Sequence, residues 1–127
     1  VIMYSIGNEI PEQRQAIERG AEIARELVEI CHKEDPTRPV TAACDQIPNA
    51  NKTGFAQALD IVGYNYQDPY YQEDHKKFPE RIILGSETHQ FPSTWKKVKN
   101  NDYVAGEFLW VGFDYLGEAD KFPLKGW

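Results

Sequence analysis

Two glutamates carry most of the chemistry legible in this sequence. Glu9 closes the run Ser5-Ile6-Gly7-Asn8-Glu9, and Glu87 closes Ile82-Ile83-Leu84-Gly85-Ser86-Glu87. Each run is short, apolar and of strand type. Such a strand has little use for a carboxylate, because burying an unpaired charge costs several kcal/mol. Glutamates at the ends of two separate strands point to a shared site just beyond the strand tips, the edge at which parallel α/β folds bind ligands. Two carboxylates facing each other across a cleft are what glycoside hydrolysis needs.

The elements that would deliver them alternate between strand and helix. Val1 to Ile6 reads as a first strand. A long helix is expected from Glu12 to Glu34, with Ile17, Ala21, Ala24, Leu27, Val28 and Cys31 at helical spacing and a charged opposite face. Asp35-Pro36 stops it. Pro39 to Ala43 is a second strand and Asp60 to Tyr64 a third, with an Asn- and Pro-containing loop between them and a short helix near Phe55 to Leu59. Tyr71 to Phe78 reads as helix, Arg81 to Ser86 as a fourth strand, Ser93 to Lys99 as a short helix with Ser93 as N-cap, and Val104 to Trp110 as a fifth strand. Strands apolar at successive positions fit a parallel sheet covered on both faces. No glycine-rich phosphate loop follows any strand, which weakens a nucleotide-binding sheet. Functional residues ending several different strands favour a (β/α) barrel. A complete barrel has eight strands in about 250 residues, so about five in 127 residues make an α/β, partial TIM barrel.

Composition sets the frame. The 127 residues suit one domain, and 41% hydrophobic with 13% aromatic content supports a core. A formal charge of −6 argues against nucleic acid or an anionic membrane as main partner. No apolar run approaches the roughly 18 residues of a membrane helix. Cys31 and Cys44 lack metal-ligand spacing and read as buried free thiols. The sequence opens inside the apolar run Val1-Ile2-Met3-Tyr4 and stops at Gly126-Trp127, which gives the expectation of a piece of a longer protein.

The motifs resemble glycoside hydrolase family 2, the β-galactosidase and β-glucuronidase group. Ser5-Ile6-Gly7-Asn8-Glu9 resembles that family's acid/base motif at the end of the fourth barrel strand. Asp35-Pro36-Thr37-Arg38-Pro39-Val40 resembles its entry to the fifth strand. Ile83-Leu84-Gly85-Ser86-Glu87 is similar to its nucleophile strand, the seventh, and Gly106-Glu107-Phe108-Leu109-Trp110, with Asp114, to its eighth. The resemblance implies that residues 1–127 are a C-terminal portion of a catalytic barrel holding strands four to eight. The remaining strands and accessory β-domains of the parent chain would be its partners.

The same resemblance implies roles. Glu9 is the general acid, later the base that activates water, and Glu87 the nucleophile of a retaining double displacement. Asn8 binds the sugar 2-hydroxyl, Tyr66 holds the ionised nucleophile, and Trp110 forms a floor for the apolar face of the sugar. His89 lies one position earlier, relative to Glu87, than the β-galactosidase histidine it is compared with. Plainer readings stand beside these: Glu9 as a first-turn helix glutamate, Glu87 as a loop carboxylate, Trp110 as barrel core, and some of Tyr64, Tyr66, Tyr70 and Tyr71 as packing. Glu12 and Glu107 match no motif; His32 and His75 read as surface residues; Trp95 and Trp127 either line outer sugar subsites or pack. Glu87 and His89 are too few ligands for a metal, and no cofactor is implied. The expected substrate is a carbohydrate, a terminal β-galactoside first, with β-glucuronide, β-mannoside and cellulase-like substrates as alternatives. A sugar-binding barrel remnant without activity is the non-enzyme reading.

Overall fold

The computed structural model describes residues 1–112. Five strands, β1 (Tyr4–Asn8), β2 (Val40–Cys44), β3 (Ile61–Asn65), β4 (Ile82–Thr88) and β5 (Val104–Leu109), form one parallel sheet in the order of the sequence. Helices α1 (Pro11–Arg14), α2 (Gly20–Glu34), α3 (Ile47–Thr53), α4 (Tyr71–Lys77) and α5 (Pro92–Lys99) fill the connections. Consecutive parallel strands joined by helices are a section of a (β/α)8 barrel.

The two faces of the sheet differ. Alternate residues Val40, Ala42, Cys44, Val62, Tyr64, Ile83 and Val104 pack with Ala24, Val28, Ile47, Ala50, Phe55, Tyr71 and Val98 in the buried core under the helices. Each large side chain buried there contributes about 1.5–3 kcal/mol. The intervening residues Ser5, Asn8, Thr41, Ala43, Leu84, Ser86 and Phe108 line an open cavity of about 530 Å³ on the inner face. The core also holds a polar knot. Arg81 Nη1 donates to Asp74 Oδ2 at 3.1 Å and to Asn51 Oδ1 at 2.9 Å, while the Tyr64 hydroxyl donates to Asp74 Oδ2 at 2.8 Å. Breaking such a buried pair from one side strands the other charge.

Several elements depart from the sequence-based expectation. Strand β1 begins at Tyr4 rather than Val1, because its ladder starts where Tyr4 meets Val40; Val1 and Ile2 stay exposed. The expected helix over Glu12 to Glu34 is two helices. Ala16 breaks it at a left-handed φ of 51°. Gln13 and Arg14 are meanwhile drawn to Asp45 (2.7 Å each). Ile17, in the break, is exposed instead of facing the core. Helix α3 occupies what the Asn- and Pro-containing pattern gives as loop, with Pro48 in its first turn. Phe91, not Ser93, precedes α5, and Pro92 starts it without a side-chain cap. His75 is not a free surface residue: its ring stacks on Tyr103 at 3.9 Å. Cys31 is half-buried rather than buried; Cys44 is buried, and that burial pushes its thiol up to about 12. Asp114 and Trp127 lie outside the described residues.

Candidate functional site

The site forms where β1, β3 and β4 end together. Strand β1 delivers Asn8, and Glu9 follows at a φ of 49°. Its amide donates to the Ala43 carbonyl at 2.9 Å, so the turn out of β1 is pinned on β2. Strand β3 ends at Asn65, which pairs with Glu87 in the ladder, and Tyr66 follows at a φ of 54°. Non-glycine residues hold this left-handed region at a cost of about 1–3 kcal/mol, and such positions concentrate at functional sites. Glu87 itself belongs to β4, which runs to Thr88, one residue beyond the apolar run. The ladder shifts register between Gly63 and Asn65 and again between Gly85 and Thr88. Shifts of this kind re-aim side chains at strand ends.

The Glu9 carboxylate is held from two directions. Arg14 Nη2 donates to Oε2 at 2.8 Å, and Asn65 Nδ2 donates to Oε1 at 3.3 Å. Asn65 Nδ2 also reaches Asn8 Oδ1 at 3.1 Å, and Asn65 Oδ1 accepts from Ser86 Oγ at 2.7 Å. Arg14 is anchored in turn, its Nε donating to Asp45 Oδ2 at 2.7 Å. Burial opposes the charge on Asp45, but hydrogen bonds from Arg14 and Gln13 and the Arg14 charge outweigh it and hold the carboxyl below its ordinary range.

Tyr66 stands beside Glu87. Its amide donates to the Glu87 carbonyl at 2.8 Å. Burial, then hydrogen bonding to the Glu87 carboxylate, then the charges of Glu87 and Glu9, push its phenol up to about 12. The ring stands 4.7 Å from His89, whose ring is 5.5 Å from Phe91. Of the residues expected at the site, Asn8, Glu9, Tyr66, Glu87 and His89 come together. Trp110 follows β5, its amide donating to the Thr88 carbonyl at 3.0 Å, and its side chain is exposed rather than packed as core. Trp95 is also exposed. The inner cavity touches Asn8 and Ser86 but is not walled by Glu9 or Glu87.

Four contributors escape the motif reading: Asn65, Ser86, Arg14 and Asp45. Asn65 carries one usable signal, a polar side chain ending the run Ile61-Val62-Gly63-Tyr64, which is otherwise of apolar strand type. Arg14 and Asp45 carry none, since their pairing joins residues 31 apart. Among the described residues no cluster of three or more His, Cys, Asp or Glu is spaced to hold a metal ion.

Comparison with known proteins places this geometry in context. No family model matches the chain. It is 24% identical to the β-galactosidase BoGH2A of Bacteroides ovatus, in an alignment covering all of the chain and 23% of that protein. A glycosyl hydrolase family 2 member from Bacteroides cellulosilyticus superposes with a TM-score of 0.85 at 42% identity, over 94% of this chain and 16% of that one. A β-glucuronidase of Bacteroides uniformis shares the fold, with a TM-score of 0.66 at 21% identity over 84% of this chain and 18% of the other. The chain thus spans less than a quarter of the length of these relatives. By sequence and by fold, the chain is a relative of the glycoside hydrolase family 2 proteins and corresponds to part of their barrel.

Proposed function

We propose that residues 1–127 are the catalytic-pair portion of a retaining β-glycosidase, within a longer polypeptide that completes the barrel. Glu9 is the acid/base and Glu87 the nucleophile. The observation that carries this reading is Asn65, which pairs with Glu87 in the β3–β4 ladder while its side chain donates to the Glu9 carboxylate at 3.3 Å, so the two carboxylate-bearing strand ends meet at one residue. Glu87 attacks the anomeric carbon while Glu9 gives its proton to the departing oxygen. Water, deprotonated by Glu9, then releases the sugar with net retention. Tyr66 donates to Glu87 and orients it for attack. Asn8 reads the 2-hydroxyl, His89 stands beside the sugar, and Trp110 supports its apolar face. A terminal β-galactoside is the substrate we favour, since BoGH2A carries that activity in its name.

The full-length protein that contains this sequence tests the reading on a panel of nitrophenyl β-glycosides. Glu87→Ala should lose turnover and recover part of it with azide at the vacated position. Glu9→Ala should lose about 10²–10⁴-fold on poor leaving groups and far less on activated ones. Retention of full turnover in Glu87→Ala, or equal losses across leaving groups in Glu9→Ala, would overturn the assignment.

A further inference from the structure

We infer that Asn65 is a positioning residue that fixes both the donor direction of Asn8 and the placement of the Glu9 carboxylate; this rests on the glycosidase reading above. Asn65 is fully buried at the end of β3 and touches two other strands through one side-chain amide. Its Nδ2 donates to Asn8 Oδ1 (3.1 Å) and Glu9 Oε1 (3.3 Å), and its Oδ1 accepts from Ser86 Oγ (2.7 Å).

The chemistry of the partners decides which way each amide faces. In the step in which Glu9 acts as base its carboxylate only accepts, so the NH₂ of Asn65 faces Glu9 there, and its oxygen faces Ser86. The same NH₂ then claims the oxygen of Asn8. Asn8 is left with its own NH₂ turned away from Asn65, and Asn8 lines the inner cavity. A sugar hydroxyl that reaches the free side of Asn8 from the strand ends meets it as a donor. Rotating Asn8 alone would set donor against donor and rotating Asn65 alone acceptor against acceptor, so the two amides are locked to each other.

The backbone makes room for this chain. A side chain at Gly63 would bring its Cβ to 2.6 Å from Ser86 Oγ and 2.5 Å from the Ala42 carbonyl oxygen. Glycine at that point of β3 lets the Ser86 hydroxyl settle above the strand and reach Asn65. Sub-ångström placement of this kind matters because a displacement of about 1 Å can cost about 10²-fold in rate.

The test uses the full-length protein and compares an aryl β-galactoside with its 2-deoxy counterpart, across good and poor leaving groups. Asn65→Ala should lower kcat/KM about 10²-fold on the parent sugar, with KM little changed. The loss should shrink on the 2-deoxy sugar, where Asn8 has nothing to bind. What remains should grow as the leaving group worsens, because it passes through Glu9. Adding Asn65→Ala to Asn8→Ala should cost less than it does alone, the mark of residues acting as a unit. Ser86→Ala, which keeps the amide but frees its rotation, should give the same pattern at smaller size and decides the matter if Asn65→Ala does not fold. Losses equal on both sugars and flat across leaving groups would make Asn65 a purely structural residue and overturn the inference. Turnover that survives Glu87→Ala would instead remove the glycosidase reading, and this inference with it.

Discussion

Glu9 and Tyr66 each sit one residue past a strand with a positive φ, 49° and 54°. That conformation turns each side chain off the line of its strand, Glu9 toward Arg14 and Asn65, and Tyr66 toward His89. The raised pKa of Tyr66, about 12, keeps its phenol protonated through the whole neutral range, available as a donor to a carboxylate. The sign of its linkage follows. A phenol whose folded value exceeds the unfolded value near 10 contributes stability that is present below pH ~10 and is lost as the pH climbs through 12. In Tyr66→Phe the alkaline fall in the urea midpoint between pH 10 and 12 should therefore be shallower than in the native protein. Turnover should drop on the order of 10²-fold, as for loss of one donor to a reacting charge. Parallel alkaline curves would mean that Tyr66 does not feel the two carboxylates. At this scale the sequence was informative wherever a polar residue interrupts or ends an apolar run, as Asn8, Glu9, Tyr66 and Glu87 do. Ser86 looks like strand filler until Asn65 is placed beside it, because its partner comes from another strand.

The elements show why the helical pattern after β1 misled. Apolar spacing from Ile17 to Cys31 reads as one helix, yet the chain must first return Arg14 to the end of β2. Gln13 and Arg14 grip Asp45, and the helix restarts at Gly20, where a Cβ would lie 2.8 Å from the Glu12 carbonyl oxygen. A tertiary ion pair thus overrides local periodicity. Strand positions were easier to read, because each buried run has only one place to sit between two helices; strand ends shifted by one to three residues with the ladder partners. Two tests belong here. Asp45→Asn should cost about 1 kcal/mol at neutral pH, the low end for a charged hydrogen bond given the exposure of Arg14. Because the Asp45 value is lowered on folding, its contribution is present above pH ~4 and is lost as the pH falls through the folded value. Native and variant urea midpoints should converge below that, and a gap that persists there would assign the loss to packing. Gly54 closes α3 at a φ of 81°, a left-handed cap suited to glycine. Gly54→Ala should lower stability by about 1 kcal/mol with an unchanged denaturant slope, since the Ala21 Cβ at 3.7 Å leaves ordinary room for a methyl group.

At the scale of the whole molecule, a five-stranded parallel sheet presents two faces that need cover. Helices supply it on one side. On the other, among the described residues, the cavity of about 530 Å³ is lined by Val1, Ile2, Met3, Leu84 and Phe108 and opens outward. In a barrel that space is filled by inward side chains from all eight strands. Val1 and Ile2 are 81% and 78% exposed, and Phe108, Leu109 and Trp110 each more than 40%. Strand β1 has β2 on one side and, among the described residues, no strand on the other. A free parallel edge beside an apolar face is a template for further pairing. The 127 residues expressed by themselves should therefore associate, with light scattering reporting species larger than 14.6 kDa that grow with concentration. Replacing Ile2 and Phe108 by Lys should reduce that association without disturbing the helix-covered core, because both side chains lie outside it. The same isolated polypeptide should show little turnover of a nitrophenyl β-galactoside. Strands that close the barrel would add contacts to the sugar hydroxyls, and binding energy from those remote contacts is what lowers the barrier at the reacting carbon. A monodisperse 127-residue monomer would mean that the inner face is covered by residues already present. Turnover near that of the full-length protein would mean that these strands alone hold the substrate, and the proposed dependence on a completed barrel would fall.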